Sequence, residues 1–159
     1  AAALFIAELG IDKILSRMGD VVGKHFAMWG LSFKPNTDDV REAPALWLIE
    51  ELVQRGATVA AYDPEGLENA LRSLKVDIQW SHEPYEVLQG ADCLLICTEW
   101  NEFRNPDWDL LRNYLKEPLI FDGRNLFDPQ KIAQMGFEYY SVGRPHVAAV
   151  HEELAGILS

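Results

Sequence analysis

The run Cys93-Leu94-Leu95-Ile96-Cys97 is apolar at every position. A strand with one face in water alternates polar and apolar residues. An unbroken apolar run of strand length, bracketed here by Asp92 and Thr98, marks a strand covered on both faces. Such a strand sits in the middle of a parallel sheet, and a parallel sheet needs helices above and below it.

The rest of the chain supplies those parts. Apolar runs at 25–30, 58–62, 76–80, 119–121 and 137–141 read as further strands. Between them lie stretches with helical spacing. Ala45, Leu48, Ile49, Leu52 and Val53 share one face of a helix expected over 45–53, with Asp38 or Asp39 as N-cap candidate, Pro44 in the first turn and Gly56 as its stop. Residues 67–74, 84–88, 108–115 and 129–135 read as shorter helices. Leu4, Ile11, Leu15 and Met18 make residues 1–18 helical, and Val147, Val150, Leu154 and Ile157 make 145–159 a helical tail. The alternation predicts an α/β fold: a three-layer, Rossmann-like domain whose parallel sheet of five or six strands carries helices on both faces, joined by right-handed crossovers. One domain is expected, because 159 residues suffice for one real core.

A net charge of −11 argues against nucleic acid and anionic membrane surfaces as partners, though not against a small anion that meets a local basic patch. No apolar run is long enough to span a bilayer. The two cysteines lie four residues apart on one strand, on the same face and too distant to bridge. A disulfide framework is therefore not expected, and a reducing, cytoplasmic setting is. Both thiols sit inside a strand, so they read as inert core groups. Neither a zinc-ligand spacing nor a Gly-x-Ser-x-Gly elbow is present.

Parallel sheets bind ligands at the carboxyl ends of their strands, and three loops there stand out. The first is Gly30-Leu31-Ser32-Phe33-Lys34-Pro35-Asn36-Thr37-Asp38-Asp39-Val40-Arg41. Where a dinucleotide fold carries G-x-G-x-x-G, this chain keeps only Gly30 and has Ser32 and Pro35 at the other two places. Close backbone approach to a pyrophosphate gives way to side-chain cations, Lys34 and Arg41. The bland alternative is a solvated Lys34 and an Arg41 paired with a nearby aspartate. The second loop, Asp122-Gly123-Arg124-Asn125, offers an arginine fork for phosphate or sugar oxygens, with Gly123 supplying an unusual backbone angle that turns Arg124 over the sheet edge. Its alternative is a surface pair with Asp122 or Asp128. The third, Thr98-Glu99-Trp100-Asn101-Glu102-Phe103, holds Trp100 and Phe103, which read as packing residues before stacking ones. Asp63, at the end of the 58–62 strand, stands where dinucleotide folds place a ribose-binding acid, but reads first as a cap for the next helix. The residues outline an anion site without a catalytic group.

Four segments, taken in order, resemble the C-terminal, UDP-binding domain of the UDP-glucose 6-dehydrogenases: Phe33-Lys34-Pro35-Asn36-Thr37-Asp38-Asp39-Val40-Arg41-Glu42, Tyr62-Asp63-Pro64, the stretch from Ala91-Asp92 to Thr98-Glu99-Trp100, and Asp122-Gly123-Arg124-Asn125. The wider family includes GDP-mannose and UDP-N-acetylmannosamine dehydrogenases. The resemblance covers 23–145. It implies that residues 1–22 end a helix leading to a central domain outside this chain, and it says nothing of 146–159. It implies a whole enzyme that oxidises UDP-glucose to UDP-glucuronate in two steps with two NAD and works as a homodimer. The Gly-rich NAD fingerprint and the catalytic cysteine of such an enzyme lie in domains this sequence does not contain, so the chain alone is expected to be inactive. By position, Phe33, Lys34 and Arg124 match substrate-binding residues, and Arg41 matches one that contacts NAD across the domain cleft. A free-standing nucleotide-binding or assembly module, without enzymatic parts, is the alternative.

Overall fold

The structure is a computed structural model that describes residues 2–150, with side chains for 7, 8 and 10–150. Six strands form one sheet: β1 (His25–Trp29), β2 (Thr58–Tyr62), β3 (Gln79–Trp80), β4 (Cys93–Ile96), β5 (Leu119–Asp122) and β6 (Glu138–Tyr140), in the order β3-β2-β1-β4-β5-β6. Every neighbouring pair is parallel. The order reverses between β1 and β4, which makes the crevice beyond their carboxyl ends the switch point of the sheet.

The two faces divide the strand residues as the pleat requires. Phe26 and Met28 of β1, Val59 and Ala61 of β2, and Cys93 and Leu95 of β4 pack under α1 (Ala2–Met18), α2 (Pro44–Gln54) and α3 (Leu67–Ser73). Ala27, Trp29, Ala60, Tyr62, Leu94 and Ile96 face the other way, onto a 310 turn at Glu86–Leu88, α4 (Trp108–Tyr114) and α5 (Pro129–Gln134). The central run is therefore buried on both sides, and Cys93 and Cys97 do share a face. Helix α2 shows what holds a layer in place. Leu48, Ile49 and Leu52 are buried against the sheet, each contributing about 1.5–3 kcal/mol as an upper estimate.

Three local expectations are corrected. Neither Asp38 nor Asp39 caps α2; its N-cap is Ala43, with no side-chain hydrogen bond. Pro44 at the first position has no N–H to satisfy, so the cap matters less there. The Asp39 carboxylate instead accepts from the N–H of Arg41 at 3.0 Å. Strand β3 is two residues, not five, and both are exposed; a short edge strand offers little template for unwanted pairing. Residues 145–150 are not helical. Val147 pairs with Tyr139 in an antiparallel bridge, N–H to O 3.0 Å each way, and Val150 donates to the Ala133 carbonyl at 2.8 Å. The open edge of β6 takes the Val147 pair and α5 takes the Val150 N–H, in preference to a local helix. Leu154, Ile157 and the Leu4 side chain lie outside the described residues.

Helix α1 is tied to the far edge of the sheet. Arg17 Nε donates to Glu138 Oε2 at 2.6 Å and Arg17 Nη2 to Oε1 at 3.0 Å, and Lys13 Nζ donates to the Ser141 carbonyl. Burial works against ionisation of Glu138, but the bonds from Arg17 and Tyr140 outweigh it and hold this carboxyl below the usual glutamate value.

Candidate functional site

The crevice is built from the end of β1. Gly30 has φ 99°, and a Cβ there would lie 2.6 Å from the Thr98 backbone nitrogen. Only glycine lets the β1 and β4 ends approach this closely. The Thr98 hydroxyl then donates to the Ser32 carbonyl at 2.5 Å, and Trp100 Nε1 to Ser32 Oγ at 3.3 Å.

Asp63 anchors the same segment from the β2 side. Its Oδ2 accepts from Leu31 N at 2.7 Å, Ser32 N at 3.1 Å and Ser32 Oγ at 3.2 Å, and its Oδ1 from Glu65 N at 2.9 Å and Gly66 N at 2.6 Å. Asp63 is buried. Both oxygens are spent on the protein, so it is a scaffold for the site loop and for the start of α3, not a ribose ligand. Trp100 and Phe103 are buried too, with Phe103 stacked on Trp29 at 5.3 Å between ring centroids. They pack, as expected.

The three loops meet at Arg124. Its Nε donates to the Cys97 carbonyl at 3.1 Å and its Nη2 to the Phe33 carbonyl at 2.5 Å. The guanidinium carbon sits 5.4 Å from the centroid of the Phe33 ring. The Glu99 carboxylate lies 3.3 Å from Nε. So the surface pair with Asp122 or Asp128 is not formed. Asp122 holds the Arg124 main chain instead, accepting its N–H at 2.8 Å and that of Leu126 at 2.7 Å. Gly123 is not at positive φ; the residue in that region is Asn125, at 55°. Gly123 serves close approach, its N–H donating to the Ile96 carbonyl at 2.8 Å.

Asp122 is buried, and Tyr139 donates to its Oδ2 at 2.5 Å while Arg144 Nη2 donates to the Tyr139 hydroxyl at 3.1 Å. Burial pushes the Asp122 carboxyl above its ordinary value despite those bonds. Arg124 also borders a cavity of about 70 Å3 under α1, with Lys13, Ile14, Leu95, Cys97 and Phe121 among its walls.

Of the residues singled out from sequence, the structure brings Phe33 and Arg124 into contact. Lys34 is exposed, does not line that cavity and pairs with no carboxylate among the described residues. Arg41 is bound to Asp39, Nη2 to Oδ2 at 2.8 Å, with its side chain 87% exposed, which is the bland alternative raised for it. Glu99 and the Asp122–Tyr139–Arg144 chain were not singled out. The sequence carried no signal for Glu99; its place follows from the folded register, in which Ile96 of β4 stands opposite Asp122 of β5, so that the residues just beyond both ends are neighbours. Burial raises the Cys97 thiol to about 12 and the Cys93 thiol well above its ordinary value, so both are protonated near neutrality. Among the described residues no cluster of His, Cys, Asp or Glu could hold a metal ion.

A fully parallel six-stranded sheet in this order, with an arginine at its switch point, is the nucleotide-binding type of α/β domain. More narrowly, the chain belongs to the UDP-glucose/GDP-mannose dehydrogenase family, whose UDP binding domain matches residues 27–129. It is 46% identical over 137 residues to the UDP-glucose 6-dehydrogenase of Rhizobium meliloti, covering 86% of this chain and 31% of that one. To that of Pseudomonas aeruginosa it is 42% identical over 130 residues, covering 77% and 28%. The chain thus spans about a third of the length of these relatives. Among solved structures, it is similar to a UDP-glucose dehydrogenase from Pyrobaculum islandicum, with TM-score 0.66 and 29% identity over 76% of this chain and 26% of that one. The fold is shared with an NDP-N-acetyl-D-galactosaminuronic acid dehydrogenase from Methanosarcina mazei, at TM-score 0.71 and 24% identity over 89% and 30% of the chains.

Proposed function

We propose that this chain is the UDP-sugar-binding domain of an NAD-dependent UDP-glucose 6-dehydrogenase of the cytoplasm, and that it grips the diphosphate of UDP-glucose. The observation that carries this reading is the Arg124 guanidinium, held at the switch point by carbonyls from two other loops. Those two bonds use two of its five N–H donors. The remaining three are available to a phosphate, with Phe33 as a floor that restricts the guanidinium plane. Lys34, exposed on the neighbouring loop, adds a mobile point charge to the same anion.

The residues at the β1 turn do not fit an NAD pyrophosphate. Gly30 is committed to Thr98, and Ser32 to Asp63 and Trp100. NAD, the hydride acceptor of such enzymes, is accordingly assigned to a domain outside this chain. Arg41 would meet it from across the cleft after leaving Asp39. The thiol that such a two-step oxidation uses for its covalent adduct is also assigned elsewhere, since neither Cys93 nor Cys97 ionises near neutrality. The sugar assignment rests on likeness to the UDP-glucose 6-dehydrogenases, with GDP-mannose and UDP-N-acetylmannosamine as the alternatives. The whole enzyme is taken to be a homodimer.

The test uses the full-length enzyme. Lys34→Ala should weaken UDP-glucose binding about 10- to 150-fold, the worth of a charge-assisted hydrogen bond of ~1.5–3 kcal/mol, and Arg124→Ala at least as much. Titration calorimetry with UDP-glucose, GDP-mannose and UDP-N-acetylmannosamine identifies the sugar. Unchanged affinity in both variants refutes the diphosphate role.

A further inference from the structure

Arg124 carries a partner that its positioning does not need. Two backbone carbonyls already fix its Nε and Nη2, and the Asp122 carboxylate fixes its main chain. The Glu99 carboxylate nevertheless lies 3.3 Å from Nε, at the Nε edge of the guanidinium. Both side chains are partly screened from water, at 19% exposed for Arg124 and 30% for Glu99. At that depth an opposite charge is screened less than at an open surface.

We propose that Glu99 is a built-in counter-charge that lowers the affinity of this site for nucleoside diphosphates. The inference rests on the reading that Arg124 binds the diphosphate. Glu99 makes no hydrogen bond with the three other N–H groups of Arg124, so an incoming phosphate can still bond them. It meets a cation whose charge is already partly neutralised and a carboxylate that repels it. A site that must release a nucleotide-sugar product after each turnover gains from such a brake, because every term that tightens the substrate diphosphate tightens the product diphosphate equally.

The experiment is titration calorimetry of UDP against the full-length enzyme and its Glu99→Gln, Glu68→Gln and Arg124→Ala variants. Glu99→Gln should bind UDP about two- to fivefold more tightly, the range expected from removing a partly exposed ion pair. Glu68, exposed on α3, reports the general effect of removing one negative charge from an acidic chain, and its variant should stay at the wild-type value. If Glu99→Gln proves insoluble, Glu99→Ser carries the same expectation. Unchanged or weaker binding by the Glu99 variant, or equal tightening by the Glu68 variant, overturns the proposal while leaving Arg124 in place. If Arg124→Ala alone binds UDP as the wild type does, the underlying assignment of Arg124 falls, and this inference with it.

Discussion

Replacing Asp63 with asparagine separates a scaffold from a ligand group. The carboxylate accepts five hydrogen bonds, three at Oδ2 and two at Oδ1, all from the protein. An asparagine keeps one acceptor oxygen and turns the other into an NH2 donor. With the amide oxygen toward Leu31 and Ser32, the NH2 confronts the N–H groups of Glu65 and Gly66; with the amide flipped, it confronts those of Leu31 and Ser32. Either way at least two N–H donors face a donor in a buried setting. Each unpaired buried donor costs about 1–3 kcal/mol, so the loss is about 2–6 kcal/mol against a total stability of about 5–15 kcal/mol. With a urea slope of about 2 kcal/mol/M, the unfolding midpoint of the chain should fall by roughly 1–3 M. The assay is urea denaturation followed by far-ultraviolet circular dichroism and by tryptophan fluorescence, whose coincidence checks two-state behaviour. An unchanged midpoint together with a selective loss of nucleotide affinity would refute the argument and restore Asp63 as a ribose ligand.

Gly30→Ala should cost about 2–5 kcal/mol, the sum of a non-glycine residue at positive φ and of a methyl group driven against the Thr98 backbone; a urea midpoint within error of the wild type would show that β1 and β4 can separate at no cost. The Glu138 carboxyl is held below the ordinary glutamate value of 4.5, so its contribution to stability is fully present above that pH and is lost as pH falls through the depressed value. The difference in midpoint between wild type and Glu138→Gln should therefore shrink as pH drops from 7 to 3, and a constant difference would mean that the Arg17 pair does not stabilise the docking of α1.

The layers of this fold are legible along the chain because they depend on local periodicity. An unbroken apolar strand at 93–97, period-3.6 stripes at 45–53 and a glycine stop at Gly56, which has φ 91°, need no knowledge of distant residues. The expected helix over 145–159 failed in residues 145–150 for the opposite reason. Its spacing is helical, but Val147 finds a better backbone partner in Tyr139, eight positions away, on a strand edge that only the assembled sheet creates. Arg124 and Phe33 could be named from sequence as separate candidates; that they touch could not.

The amino-acid order alone determined the alternation of strands and helices, the doubly covered centre of the sheet and the loops where cations cluster, since each is written in neighbouring residues. Only the folded chain decided that Gly30 must meet Thr98, that Asp63 braces Ser32, and that Arg124 closes on a carbonyl 91 positions away with Glu99 beside it. Those partners are brought together by the lateral order of the strands, and that order follows from packing two helical layers on one twisted sheet, a property of the whole chain and of no segment within it.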